Sequence, residues 1–153
     1  MSSAAPTPYP DPCLYEEDFY TWALTTASLL RQRRLTEVDL VHVAEELEDM
    51  GKRERRELES HIRNVTLHLL KWQYQPKKRG SSWRQSIRNG RIEIHKLLRD
   101  SPSLTGQTFH ILDETYLAAR ADAIDETRLS EDTFPTLCPF TVEQVRDAEF
   151  WPK

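Results

Sequence analysis

Leu40, Ala44 and Leu47 return eighteen residues later as Leu58, Ile62 and Val65. Eighteen residues complete five α-helical turns, so the members of each pair point the same way along one axis. Val43 and Met50 fill in the first half of this stripe, and Leu69 and Trp72 extend the second. A strand would repeat every second residue, so the stretch is committed to helix. Gly51 falls in the middle, and the signals around it conflict. A glycine just past an apolar residue is a common helix stop, and 52–57 (KRERRE) has no apolar face. Yet Glu48 with Lys52, and Asp49 with Arg53, are i,i+4 pairs that straddle the glycine and favour helix through it. Two helical arms joined by a kink or a very short break accommodate both. Pro76 ends the second arm.

The rest of the chain reads as helix too. Phe19, Trp22, Ala23, Thr26, Leu29 and Leu30 recur at three- and four-residue steps, after a capping Asp18 and before the basic turn Arg31, Arg33, Arg34. Ser82-Trp83-Arg84-Gln85 has capping-box form. Trp83, Ile87, Ile94, Leu97 and Leu98 then give one face, and Arg84, Arg88, Arg91, His95 and Arg99 the other. Pro102 opens a further helix carrying Phe109, Leu112, Tyr116, Ala119 and Ala123, which fades near Thr127. A second capping box, Thr141 to Gln144, starts a short helix in a tail studded with Phe134, Phe140, Phe150 and Trp151. So many aromatics must pack on the body.

The expected class is all-α: an irregular bundle of about five helices with a packed C-terminal tail. Residues 1–14 read as an extended Pro-rich segment and 15–153 as a single helical domain. The expected core is Trp22, Leu29, Leu47, Leu58, Ile62, Val65, Leu69, Trp72, Trp83, Ile87, Ile94, Leu98, Leu112 and Tyr116. With 30% charged residues and a mean hydropathy of −0.68, the chain reads as globular and soluble. No apolar run approaches the roughly 20 residues that span a bilayer, and the N-terminus lacks a secretory pattern. Cys13 and Cys138 read as free thiols of a reduced, cytoplasmic compartment, the alternative being a disulfide that clamps the two ends of the chain.

Charge is unevenly placed. Between Lys71 and Arg99 stand nine Lys or Arg and one acid, Glu93, a balance of +8. The remainder holds twelve basic and twenty-four acidic residues, a balance of −12, and the two recover the net −4. Within the belt Lys77, Lys78 and Arg79 are bracketed by Trp72, Tyr74 and Trp83, and Gly80-Ser81-Ser82 leads into a helix N-terminus. Basic side chains for phosphates, rings for stacking and free N–H groups suit an anionic partner: a nucleic acid, a phosphorylated ligand or an acidic protein surface. The expected anion-binding residues are Lys77, Lys78, Arg79, Ser81, Ser82, Arg84, Arg88 and Arg91. The plain alternative is a solvated or internally paired surface, with both tryptophans as core anchors.

No nucleophile elbow, Walker loop or Cys–His signature occurs, so no catalytic residue or cofactor is assigned. An enzymatic alternative rests on Glu57, His61 and His68, three weak metal-ligand candidates on neighbouring turns. Homo-oligomerisation through the charge-segregated faces is a third reading.

The segments YEEDFYTWALTTASLL, HLLKWQYQP, SSWRQSI, SPSL and CPFTVEQVRDAEFWP resemble a bacterial family known as domain of unknown function number twenty-nine. The resemblance runs from about Tyr15 to Pro152 and implies a compact helical domain. It brings no accepted activity, cofactor or catalytic residue.

Overall fold

The computed structural model describes residues 12–153, with side chains from Leu14 onward. Among the described residues there are six α-helices and no strand. They are α1 (Pro12–Glu17), α2 (Phe19–Arg31), α3 (Leu40–Tyr74), α4 (Ser81–Asp100), α5 (Thr108–Thr127) and α6 (Val142–Arg146). Short 3-10 turns stand at Leu35–Glu37, Pro76–Lys78, Pro102–Gln107 and Glu131–Thr133. The all-α expectation holds. The lead-in expected over 1–14 lies outside the described residues up to 11, and from Pro12 the chain is already helical. Cys138 is a free thiol. The side chain of Cys13 falls outside the described set.

Of the kink or very short break expected at Gly51, the break is absent, because α3 runs unbroken for 35 residues. No glycine has a positive φ, so Gly51 does not adopt the left-handed geometry of a helix stop. A glycine inside a helix costs about 1 kcal/mol relative to alanine, which the rest of a long helix readily offsets.

Chain contacts fall into two compact units, Met1–Gly51 and Lys52–Lys153. In the first, Asp18 caps α2 by accepting from Thr21 N at 2.9 Å. Asp39 caps α3 by accepting from His42 N at 3.2 Å. The same carboxylate bonds the His42 ring, which stacks on Tyr15 at a centroid distance of 3.9 Å. Tyr15 in turn donates its hydroxyl to Glu46. Among the described residues of this unit, Trp22, Leu29 and Val38 are the buried apolar side chains. Leu47, expected in the core, is 62% exposed. The inner face of this stretch of α3 is instead the polar one, carrying Asp39, His42 and Glu46.

The second unit holds the main core. Leu58, Ile62, Val65, Leu69 and Leu70 of α3 meet Ile87, Ile94 and Leu98 of α4, and Ile111, Tyr116, Ala119 and Ala123 of α5. Trp83 is only half-buried, its ring packed on this core with the Lys71 ammonium 4.7 Å from its centroid. Arg55 pairs with Glu114 at 3.0 Å, Arg63 with Asp122 at 2.6 Å, and Lys71 with Glu126 at 2.5 Å. Both members of the pairs advance together, so α3 and α5 run parallel along this ladder. Of the expected tail, Phe134, Phe140, Val142 and Val145 are buried, and the Thr141–Gln144 capping box forms.

Gly90 lets α4 pack close against α3. A Cβ there would overlap Val65 Cγ2. Gly90→Ala should therefore lower stability by about 1–3 kcal/mol through overpacking, although alanine is the better helix former. Val65→Ala removes the obstructing methyl. The double variant should then be more stable than the sum of the two single losses, a coupling that denaturant unfolding of all four proteins would read. Strict additivity would mean that the contact is not tight.

The first unit carries a pH dependence. The hydrogen bond to Asp39 holds His42 above the usual imidazole range, against some desolvation. The same bond holds Asp39 below the usual carboxylate range. The His42 contribution is fully present below its unfolded value of about 6.5 and is lost as pH rises through its raised folded value. That of Asp39 is present above about 3.9 and is lost as pH falls through its lowered one. Stability at pH 8.5 should thus fall below that at pH 5.5, and His42→Gln should flatten the difference. NMR titration of the His42 ring beside melting curves at both pH values would check this.

Candidate anion-binding surface

The belt is built on one turn and one helix start. Gln75 follows the end of α3 at Tyr74, Pro76 opens a single 3-10 turn through Lys78, and Gly80 in extended conformation (φ −149°, ψ 177°) leads into α4. The box expected from Ser82 to Gln85 does not form. Helix α4 has already begun at Ser81, so both serines sit inside its first turn and no side chain caps it. A helix start of this kind leaves N–H groups without intrahelical partners and carries a positive end of the helix dipole.

Four of the eight expected residues are exposed cations around this start. Lys77 and Lys78 stand on the preceding turn, and Arg84 and Arg88 one and two turns into α4. None has a carboxylate within ion-pair distance among the described residues. Ser81 and Ser82 are exposed beside them.

The other two expected cations do something else. Arg91 is 2% exposed. Its Nε donates to Val145 O at 2.9 Å, and its Nη2 to Gln144 O at 3.0 Å and Phe150 O at 2.9 Å. Trp151 lies over the guanidinium at 5.5 Å. Burial pulls its pKa down, and Asp147 nearby opposes the shift. Arg91 cannot meet a partner from solution. Arg79 is half-buried, donating from Nε to Trp72 O at 2.7 Å and from Nη2 to Pro152 O at 3.4 Å. Sequence periodicity put Arg91 on the basic face, but at 100° per residue it lies only about 20° from Leu98. That edge position was the available signal for burial.

The stacking platform is absent as well. Trp72 is buried with its ring 4.8 Å from Trp151, and Tyr74 packs edge-on against Phe134 at 5.2 Å. Elsewhere in the belt Lys71 is taken up by Glu126, Lys96 faces Glu93 at 3.7 Å and Arg99 faces Asp100 at 3.1 Å. The last two are exposed pairs of little energetic weight.

The histidines of the metal reading do not converge with Glu57. Glu57 is exposed, and His61 and His68 are half-buried. The Nδ1 of His68 faces Asn64 O at 2.8 Å, and desolvation lowers its pKa. Among the described residues no three His, Cys, Asp or Glu side chains are grouped to hold a metal ion. The Cys138 thiol is pushed up by burial and donates to Phe140 O, which makes it a poor nucleophile. No helix among the described residues is long and apolar enough to cross a membrane.

The match to domain of unknown function DUF29 covers residues 14–151. The chain belongs to that family. No curated protein and no solved structure matches it.

The division of the belt is testable. Arg91→Met keeps much of the side-chain volume and removes three charge-assisted hydrogen bonds, leaving three tail carbonyls without that donor. It should cost about 3 kcal/mol or more in denaturant unfolding. Lys78→Glu should leave the unfolding midpoint almost unmoved, because exposed charges contribute little. Equal effects of the two would mean that Arg91 does not hold the tail.

Proposed function

We propose that this protein is a non-enzymatic binding module that meets an anionic partner through the exposed part of its basic belt. The observation that carries the reading is the set Lys77, Lys78, Arg84 and Arg88, four cations without carboxylate partners gathered at an uncapped helix start. Ser81 and Ser82 add exposed hydroxyls and first-turn N–H donors, which suit a phosphate oxygen. With Trp72 buried and Trp83 half-buried beneath Lys71, the surface offers charge and backbone donors rather than open rings. It therefore favours phosphates over base edges, and its recognition is expected to be insensitive to nucleotide sequence.

The salt dependence of binding tests this. Four phosphate contacts on a duplex predict a slope of log K against log salt of about −3.6, at about −0.9 per contact. Charge reversal at both Lys78 and Arg88 should reduce the slope by about 1.8 and weaken binding to all duplex sequences alike. Fluorescence anisotropy with two unrelated labelled duplexes, and competition by inorganic phosphate or a polyglutamate chain, separates nucleic acid from the other anion classes. A reversed pair that binds every anion as the natural chain does would leave the belt as a solvated face.

A further inference from the structure

The first unit exposes apolar surface out of proportion to its size. Thirteen large hydrophobic side chains are exposed among the described residues, and nine of them lie before Gly51. On α3 they form a line. Leu40, Leu47 and Met50 are 57%, 62% and 58% exposed, with half-buried Val43 between them. The steps of three, four and three are those of a heptad seam, and the four side chains fall within an arc of about 80°. A seam of this kind normally faces another helix, whereas the polar neighbours Asp39, His42 and Glu46 are what α3 turns toward Tyr15.

The charge around the seam selects its occupant. From 37 to 50 there are six carboxylates and no lysine or arginine. Over residues 12–51 nine acids stand against three arginines, a balance of −6. Asp39 and Glu46 border one edge of the seam. Two copies of this arm laid together would set −6 against −6. The basic helix of a second copy, α4, is no better suited, since its apolar residues Ile87, Ile94 and Leu98 are already buried in its own core.

We infer that the seam Leu40–Val43–Leu47–Met50 docks a basic amphipathic helix of another protein, with its apolar stripe on the seam and its lysines or arginines along the acidic edge. Helix-on-groove recognition with apolar anchors at three- and four-residue spacing is a recurrent mode. Here the carboxylates set the sign of the partner and the seam sets its register. The four anchors span about three helical turns, so a segment of about 15 residues suffices.

The test uses the full chain and two labelled synthetic peptides of identical composition. One has leucine at heptad positions a and d and lysine at e and g. The other has the same residues scrambled so that no stripe forms. The striped peptide should bind at least about tenfold more tightly in fluorescence anisotropy, and less tightly as salt rises. Leu47→Glu should cut that affinity by about tenfold while leaving the helical circular dichroism and the melting temperature in place, since Leu47 is already in water. Charge reversal at Lys78 and Arg88 should leave it unchanged, which separates this surface from the basic belt. Equal binding of both peptides, or indifference to Leu47→Glu, would overturn the inference. So would self-association of the chain in sedimentation that Leu47→Glu abolishes, which would give the seam to a second copy.

Discussion

The second unit depends on what happens at Gly90 and Arg91, two adjacent residues of α4. The first has no side chain, so α4 can approach Val65 of α3 as closely as backbone packing allows. The second carries a cation into the same closed interior, where desolvation makes it costly. That cost is offset by three hydrogen bonds to carbonyls of residues 144, 145 and 150. A tail without strand or long helix has few ways to satisfy its own carbonyls once it is buried. Donors from the helices and from the turn before α4 must do it. Arg79 does so for Pro152, Arg120 for Glu131 and Phe134, Tyr116 for Pro135, and His95 for Arg146. Once those bonds are made, Phe134, Phe140 and Val145 can close the core.

This division of labour changes what the belt is worth electrostatically. Nine basic residues over 71–99 suggest a strong field. Arg79 and Arg91 are turned inward to the tail, and Lys71 is neutralised by Glu126. Lys96 and Arg99 face acids. Four cations remain, all near the start of α4, where the helix dipole adds to them rather than opposing them. The net effect is a smaller but better localised positive site than the sequence count implies. Its position is a consequence of the tail, because Arg79 and Arg91 cannot serve both carbonyls and a partner in solution.

Much of the fold was legible because burial and periodicity agree in the second unit. Ile62, Val65 and Leu69 lie at steps of three and four and all are buried, as are Ile87, Ile94 and Leu98. The capping box at Thr141 forms as its spacing suggests, whereas Ser82 to Gln85, with the same spacing, forms none because α4 already begins at Ser81. Three features were not. Gly90 gives no sign in sequence of which neighbour it admits, since close approach depends on a residue twenty-five positions away. Arg91 looked like its basic neighbours, and only its angle, at the rim of the buried arc, told otherwise. Gly51 carried the composition of a helix end without the left-handed backbone that makes one. The candidate site was accordingly half legible: Lys77, Lys78, Arg84 and Arg88 kept their exposure, while Arg79, Arg91, Trp72 and Tyr74 went to the tail.

The stripe that announced α3 shows where periodicity stops informing. Leu40, Ala44 and Leu47 have the same phase as Leu58, Ile62 and Val65, and the helix carries that phase through Gly51 without a break. Yet the later set is at most 2% exposed, whereas Leu40 and Leu47 stand more than half exposed. Periodicity encodes that a face is apolar, and burial depends on what the rest of the chain brings to it. In the second unit α4, α5 and the tail supply the cover. In the first, the short helices α1 and α2 pack Tyr15 against the polar flank, where the hydroxyl–carboxylate bond to Glu46 and the His42–Asp39 pair offer directional contacts that a leucine cannot make. Those bonds fix which side of α3 faces inward, and they do so at the expense of the apolar side. An apolar stripe kept in water by its neighbours' hydrogen bonds is costly for a folded chain, since each large side chain left exposed forgoes about 1.5–3 kcal/mol of burial.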